Sequence, residues 1–468
     1  MIVSQVLVLQ VNVVILSRLP CNGQWLNGLR NARNSQSMNT TRPALDELAA
    51  TALRIGLLSF GGPAGQIALM HRILVDEKKW LGEKQFLHAL NFCILLPGPE
   101  AMQLATYSGW LVRGIGGGLV AGLLFILPGA FVLLALSAAY AVYGDLPIFA
   151  GLILGLKAAV LAIVVQALTR VGRRALKGNA GVALAVASFL GLAAFHVPFP
   201  LVIACAAVAG LAMPGRFSSA EIAVPASAFA RPWRHLSLML GWAMLLWLLP
   251  LALMILLVGR GNVFVDLALF FSQAAIVTFG GAYAVLAYVG QQAVEHHHWL
   301  AAGEMLTGLG FAETTPGPLI LVLVFVGFLG AFRNAGFADP MLAGLLGGMV
   351  TLWFTFVPCF IWVFAGAPFI ERLRGNRMLS AALAAITAAI VGVIANLSVW
   401  FGLHVLFREL AETVIGPASL EIPVLASLDW PAAAIAIVAG LMVWRGAGLF
   451  IVLLVSIGAG LVATGFAP

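Results

Sequence analysis

The chain has 468 residues, of which 62% are hydrophobic and only 9% charged, with 25 Lys and Arg against 18 Asp and Glu. An ordinary globular chain carries about 25% charged residues, and so few charges cannot coat a soluble body of this size. Soluble enzymes, nucleic-acid binders and disordered scaffolds are excluded together, and the net charge of +7 calls for no nucleic-acid partner, because membrane proteins gather Lys and Arg in cytoplasmic loops.

In chain order, residues 1–17 are apolar but lack a basic leader and a small-residue cleavage site before the polar stretch 21–43, which makes a poor signal peptide. The functional chain is expected to begin near Met38, and residues 1–37 receive no role. Apolar runs then fall near 46–70, 86–112, 117–142, 148–169, 180–195, 198–213, 236–258, 264–289, 304–331, 341–366, 378–402, 429–444 and 447–465. Runs of about twenty residues can cross a bilayer core as helices. The reading is an all-α polytopic membrane protein with 10–13 transmembrane segments, the lipid bilayer being its first partner. Cys21, Cys93, Cys205 and Cys359 lie far apart and offer no zinc, cluster or disulfide spacing.

Sidedness follows from the Lys and Arg between runs. With all runs taken as crossings, fifteen fall on the side of the N-terminus and seven on the other, which places the N-terminus in the cytoplasm. The cluster Arg72, Lys78, Lys79 and Lys84 sits awkwardly on the outer side; a re-entrant hairpin over 52–70 would move it inside.

An internal repeat organises the rest. Ser59-Phe60-Gly61-Gly62 recurs as Thr278-Phe279-Gly280-Gly281, Trp80-Leu81 as Trp299-Leu300, and Pro97-Gly98-Pro99 as Pro316-Gly317-Pro318, each at a shift of 219. Beyond an insertion near 331–342 the shift becomes 230: Gly117-Gly118 meets Gly347-Gly348, and Pro128 meets Pro358. The expected organisation is a first repeat over 38–213, a join over 214–260 and a second repeat over 261–468. Seven runs separate the two starts, an odd number, which predicts inverted topology.

Each copy interrupts two apolar segments, once with Phe-Gly-Gly and once with Pro-Gly-Pro. Pro removes an amide donor and Gly admits backbone geometry that other residues resist. Such breaks at membrane depth survive only where protein or a wet cavity satisfies the freed backbone groups. Matching breaks in two halves point to a substrate site; the plainer alternative is that they only permit kinks and close helix packing. Pro99 suits the first turn of a helix running through Glu100 and Gln103, and Pro318 repeats this, so the helix starts favour an anion. Arg54 and Lys157 are candidate partners for substrate charge, with snorkelling the plainer reading of Arg54. Glu100 and Glu313 are candidates for helix positioning or proton exchange, and Glu100 also reads as helix-terminus electrostatics. Gln103, Thr106 and Tyr107, with Thr314 and Thr315 in the other copy, can donate to oxyanion oxygens or tie helices together. The candidate contact set is therefore Arg54, Phe60, Gly61, Gly62, Pro63, Pro97, Gly98, Pro99, Glu100, Gln103 and Lys157, with Phe279, Gly280, Gly281, Glu313, Thr314, Thr315, Pro316, Gly317 and Pro318. His296-His297-His298 reads as an interfacial loop rather than a metal site, and no nucleotide-binding or hydrolytic motif appears, so neither enzyme activity nor a cofactor is expected.

Ser59-Phe60-Gly61-Gly62-Pro63, Trp80-Leu81, Leu96-Pro97-Gly98-Pro99-Glu100-Ala101 and Gln103-Leu104-Ala105 resemble the signatures of the chromate ion transporter family, long two-domain type. Thr278-Phe279-Gly280-Gly281, Trp299-Leu300, Ala312 to Pro318 and Val391 to Leu397 agree in the second half, although Ala282 stands where the family often has a third Gly. The resemblance implies export of chromate across a bacterial inner membrane, resistance to chromate, and sulfate as the competing look-alike. Only an oxyanion has support from the residues themselves. A sulfate or organic-anion carrier on the same scaffold, or a non-transporting membrane anchor subunit, is the alternative. A homodimer is compatible with the sequence and not specified by it.

Overall fold

The computed structural model describes residues 43–144, 146–217, 232–279, 281–367, 377–415 and 418–465. Residues 1–37, the start at Met38 and the middle of the join, 218–231, lie outside the described residues.

Helix α1 spans Leu45–Leu58 and buries Leu48, Thr51, Ala52 and Ile55, a stripe at helical spacing. After a break, α2 runs over Gly62–His71 and continues as one π-helical turn, Arg72–Glu77. The chain has doubled back: Lys78 pairs with Glu47 at 2.8 Å, and Arg54 with Glu77 at 2.8 Å. Helix α3, Glu83–Leu95, goes in again beside them, its start tied to His71 by Glu83 at 2.7 Å. After a second break, α4 starts at Glu100. Its first arm returns to the outer level, where the Arg113 guanidinium donates to the Pro43 carbonyl at 2.9 Å.

There α4 turns sharply. Arg113 (φ −142°) and Gly114 (φ 67°) leave helical geometry. The two arms then pack so closely that a Cβ on Gly118 would lie 3.0 Å from the Thr106 carbonyl oxygen, and one on Gly109 would strike the Gly117 carbonyl. Apolar runs 46–70 and 86–112 are therefore helical hairpins with both ends at one level. The residues 71–84 belong beside the start of α1, contrary to the sequential tally of sides. Sequence periodicity could not show this, because ion pairs between residues about thirty apart decide it.

The long arm of α4 continues to Tyr143, and α5 spans Pro147–Ala175. Two shorter apolar helices follow, α6 (Asn179–Ala193) and α7 (Phe199–Ala212). At 1.5 Å per residue each is about 22 Å long, short of a bilayer core of about 30 Å. Helix α8 covers Pro232–Val258.

The same succession then recurs. Helix α9 (Val263–Val277), a break, α10 (Ala282–Gln291) and a π turn (Gln292–His296) precede α11 (Ala302–Thr314). Both ends of α11 stand 219 residues after those of α3. After the fourth break, a 3-10 turn (Leu319–Leu321) leads into α12 (Val322–Asn334). The outer ends of these hairpins also meet: Arg333 pairs with Glu304 at 2.6 Å and donates to the Trp299 carbonyl at 3.2 Å, and Phe264 lies 5.5 Å from Phe337. Helices α13 (Pro340–Gly366) and α14 (Arg377–Leu406) complete the long elements. A hairpin of β1 (Leu410–Ile415) and β2 (Ala418–Pro423) interrupts the helices before α15 (Trp430–Trp444) and α16 (Leu449–Ala463). That hairpin falls where the apolar pattern lapses.

Among the described residues, five helices are long and apolar enough to cross a membrane: α4, α5, Gly241–Val258 of α8, α13 and α14. With the shorter apolar helices and the hairpins, the chain is an all-α polytopic membrane protein. Helix α13 lies against α12, α14 against α6 and α7, and α16 against α5.

The hairpin geometry predicts that single cysteines at Ala44 and Lys84, in a background lacking native cysteines, both react with a membrane-impermeant maleimide from the same face. Labelling from opposite faces would show that 46–70 crosses as one helix.

Candidate functional site

The four breaks interlock. The Gly98 amide donates to the Thr278 carbonyl at 2.7 Å, and the Gly317 amide donates to the Ser59 carbonyl at 2.9 Å. Each Pro-Gly-Pro loop is thus sewn to the Phe-Gly-Gly break of the other half. Both bonds span more than 170 residues of chain, so neither is a local turn.

Local chemistry prepares each break. The hydroxyls of Ser59 and Thr278 donate back to the carbonyls of Ile55 and Ala274, at the ends of α1 and α9. Gly61 (φ 83°), Gly98 (φ 127°), Gly281 (φ 100°) and Gly317 (φ 99°) then take left-handed or extended positive-φ geometry that L side chains resist. Pro63 occupies the first turn of α2, and Pro99 and Pro318 are the residues from which the next helices start. Gly280 lies outside the described residues. Phe60 rests edge-on against Phe450 of α16, 5.2 Å between centroids.

Side-chain amides finish the capping. Gln103, fully buried, donates to the Pro97 carbonyl at 2.7 Å, and Gln66, 1% exposed, donates to the Gly317 carbonyl at 2.6 Å. Four carbonyls at the breaks, those of Ser59, Pro97, Thr278 and Gly317, therefore each receive a donor from within the protein. The first amides of the helices after Pro99 and Pro318 have no partner inside their own helices, by the geometry of a helix start.

Two carboxylic acids enter this region. Glu313, 4% exposed, stands at the end of α11 and accepts from the Tyr283 hydroxyl at 2.7 Å. It lines a narrow cleft with Gly61, Gly62, Gln66, Thr315, Gly317 and Leu319, a space too small in this structure to seat a water molecule. Glu100, in the first turn of α4, faces Gly281: a Cβ there would lie 3.7 Å from its Oε1. Charges on α5 bear on both, Arg170 on Glu313 and Arg174 on Glu100.

Two members of the candidate set stand elsewhere. The guanidinium of Arg54 is held by Glu77 at the outer end of the first hairpin and is half exposed, which is the snorkelling arrangement. Lys157 lays its ammonium against Gly303, at the end of α11 opposite Glu313 and about 15 Å along the helix. Thr314 and Thr315 spend their hydroxyl protons on the Phe311 carbonyl. In this structure those hydroxyls and the Gln103 amide all bond carbonyls of the protein itself. The histidine tract closes the π turn and packs locally: His297 stacks on Trp299 at 4.2 Å, and His298 bonds the Val294 carbonyl at 3.0 Å. Burial, with His296 adding to it, holds the His297 imidazole below its ordinary pKa.

Sequence reasoning passed over Gln66, Tyr283, Arg170 and Arg174. Gln66 is the fifth residue of α2 and Tyr283 the second of α10, both close behind the Phe-Gly-Gly breaks as Gln103 is behind Pro-Gly-Pro. Nothing in the sequence separates Arg170 and Arg174 from an ordinary basic loop.

Hairpins that bury four backbone breaks inside an apolar helical bundle define a polytopic membrane protein of the broken-helix class. Comparison with known proteins gives the family: the chromate transporter model matches residues 47–211 and again 265–463, and the chain belongs to that family. A chromate transport protein of Pseudomonas aeruginosa is 32% identical over 74% of this chain and 79% of its own length. A probable chromate transport protein of Synechococcus elongatus is 28% identical over 83% and 92%. An uncharacterized transporter of Bacillus subtilis is 33% identical, covering 34% of this chain and 81% of its own length. No solved structure matches. The family marks the chain as a transporter rather than an enzyme.

Gly98→Ala must place a Cβ at φ 127°, 2.7 Å from the Gln103 amide nitrogen and 2.9 Å from the Cys359 sulfur. We expect it to cost about 1–3 kcal/mol and to lower the melting temperature in detergent. Gly116→Ala, which meets nothing within 4 Å, is expected to leave melting unchanged.

Proposed function

We propose that the protein is a secondary carrier that exports chromate from a bacterial cytoplasm across the inner membrane and so confers resistance. The observation that carries the anion reading is the distribution of hydrogen bonds at the breaks. The carbonyls of Ser59, Pro97, Thr278 and Gly317 are already capped, and the helices that start beside them carry amides without intrahelical partners and the positive ends of their dipoles. Acceptor oxygens of a tetrahedral oxyanion suit such donors. The names of the relatives in Pseudomonas aeruginosa and Synechococcus elongatus support chromate as the particular anion.

In this reading the two halves are inverted copies that give alternating access to the breaks. Its support is the path of α4, whose long arm leaves the outer ends of the first hairpins beside Pro43 and arrives beside those of the second, where Tyr140 donates to Glu304 at 3.1 Å. A cytoplasmic N-terminus has stronger support once the hairpins are considered. Moving Arg72, Lys78, Lys79 and Lys84 to the first side turns fifteen against seven into nineteen against three.

Membrane potential supplies the drive. Moving a dianion out through 100 mV gains about 4.6 kcal/mol, enough for a gradient of roughly a thousandfold without ATP.

The test is labelled chromate uptake into inside-out membrane vesicles, with and without excess sulfate, comparing wild type with Pro97→Ala/Pro99→Ala. Potential-dependent uptake that sulfate reduces and the double variant loses is the expected result. Uptake no greater than in vesicles lacking the protein would remove chromate from the reading and bring an organic anion forward.

A further inference from the structure

A buried acid beside a seat for an anion needs a reason. Glu313 is 4% exposed, and among the described residues its carboxylate accepts from one donor, the Tyr283 hydroxyl at 2.7 Å. It shares its cleft with Gly61, Gly62 and Gln66, so an anion held at the breaks would meet a like charge at close range in a poorly solvated place.

The amide oxygens nearby sharpen the point. Gln66 and Gln103 must turn their NH₂ groups toward the carbonyls of Gly317 and Pro97, which can only accept. Their Oε1 atoms are consequently fixed on the other side, and both are buried with no hydrogen-bond partner among the described residues. The hydroxyls of Ser59, Thr278, Thr314 and Thr315 all donate to their own helices. The side chains at the breaks thus offer unpaired acceptors and a carboxylate, a set that suits an anion only when a proton comes with it.

Resting on the oxyanion reading above, we infer that Glu313, held by Tyr283 at the crossing of the broken helices, takes up one proton whenever the site takes up an oxyanion, so that the two cross together. The proton sits on the carboxyl oxygen not bonded to Tyr283 and returns to water on the far side; no covalent bond to the anion forms. The surroundings agree from each packed element. Helix α10 brings Tyr283; α5 brings Arg170 and, at the far end of α11, Lys157; α2 brings the neutral Gln66, its terminal His71 being bound to Glu83. Glu100 of α4 faces Gly281, the remaining acid of α11, Glu304, is bound to Arg333 at its other end, and Arg377 and His404 stand at the ends of α14. Arg170 lies toward the exposed end of α5, where it can draw an anion in without neutralising the acid by contact. Carrying one proton reduces the exported charge from two to one, and the gradient that 100 mV sustains falls from roughly a thousandfold to about fiftyfold.

The experiment uses the full-length protein in liposomes, clamped at zero potential, with a tenfold proton gradient set in the alkaline range where chromate is a dianion and cannot itself bring the proton. Wild type should accumulate labelled chromate about tenfold in the more alkaline lumen. Glu313→Gln should lose the accumulation, so that whatever exchange it retains equalises the chromate concentration. Tyr283→Phe removes the hydrogen bond that favours the carboxylate, and should move the pH midpoint of exchange upward. Wild type that exchanges chromate but equalises it despite the proton gradient overturns the inference, whatever becomes of the variants. So does Glu313→Gln that keeps the tenfold accumulation, or Tyr283→Phe with an unmoved midpoint. Absence of any chromate exchange by wild type would instead overturn the oxyanion reading, and this inference with it.

Discussion

The fold depends on one constraint, the requirement that backbone groups freed inside an apolar bundle find partners. An unsatisfied amide or carbonyl costs about 1–3 kcal/mol when buried in protein and more in lipid. Four interruptions would be prohibitive if each half had to settle its own. The bonds from Gly98 to Thr278 and from Gly317 to Ser59 resolve this by exchange between halves. The first half is incomplete without the second, and the breaks are held together at the same place where they are made safe.

That exchange also explains the surrounding architecture. Each break lies at the tip of a helical hairpin, so its depth is set by the outer ends, which ion pairs fasten: Glu47 with Lys78 on one side, Glu304 with Arg333 on the other. The sharp turn at Arg113 and Gly114 lets α4 serve twice, first as the return arm of a hairpin and then as a long crossing. Glycine at Gly109, Gly117 and Gly118 allows the two arms to touch.

The backbone repeats, and with it the back-bonding hydroxyls of Ser59 and Thr278, while the amides, acids and phenol at the breaks do not. At the shift of 219, Gln66 corresponds to Val285, Glu100 to Leu319 and Gln103 to Val322, whereas Tyr283 corresponds to Ala64 and Glu313 to Ile94. One half contributes two amides and an acid, the other a phenol and an acid. A scaffold of matching breaks therefore surrounds an asymmetric set of functional groups, and the chemistry of the site belongs to the pair of halves rather than to either copy.

Much of this was legible before any coordinates. An apolar run identifies membrane helices because lipid tolerates little else, and Gly and Pro mark interruptions through their own backbone chemistry, so the four breaks and their spacing could be read directly. What each side chain does was not legible. The sequence leaves open whether Thr314 and Thr315 bond a ligand or the protein, and the structure places their protons on the Phe311 carbonyl. The sequence shows Lys157 as a mid-helix charge, and only the packing of α5 sets it beside Gly303. Composition and local pattern determined the class of protein, the places where helices stop and the existence of two related halves. The tertiary structure alone decided that two apolar runs double back, which break bonds to which, and that Glu313 meets Tyr283, because those outcomes depend on contacts between residues far apart in the chain, whose pairing no local rule specifies.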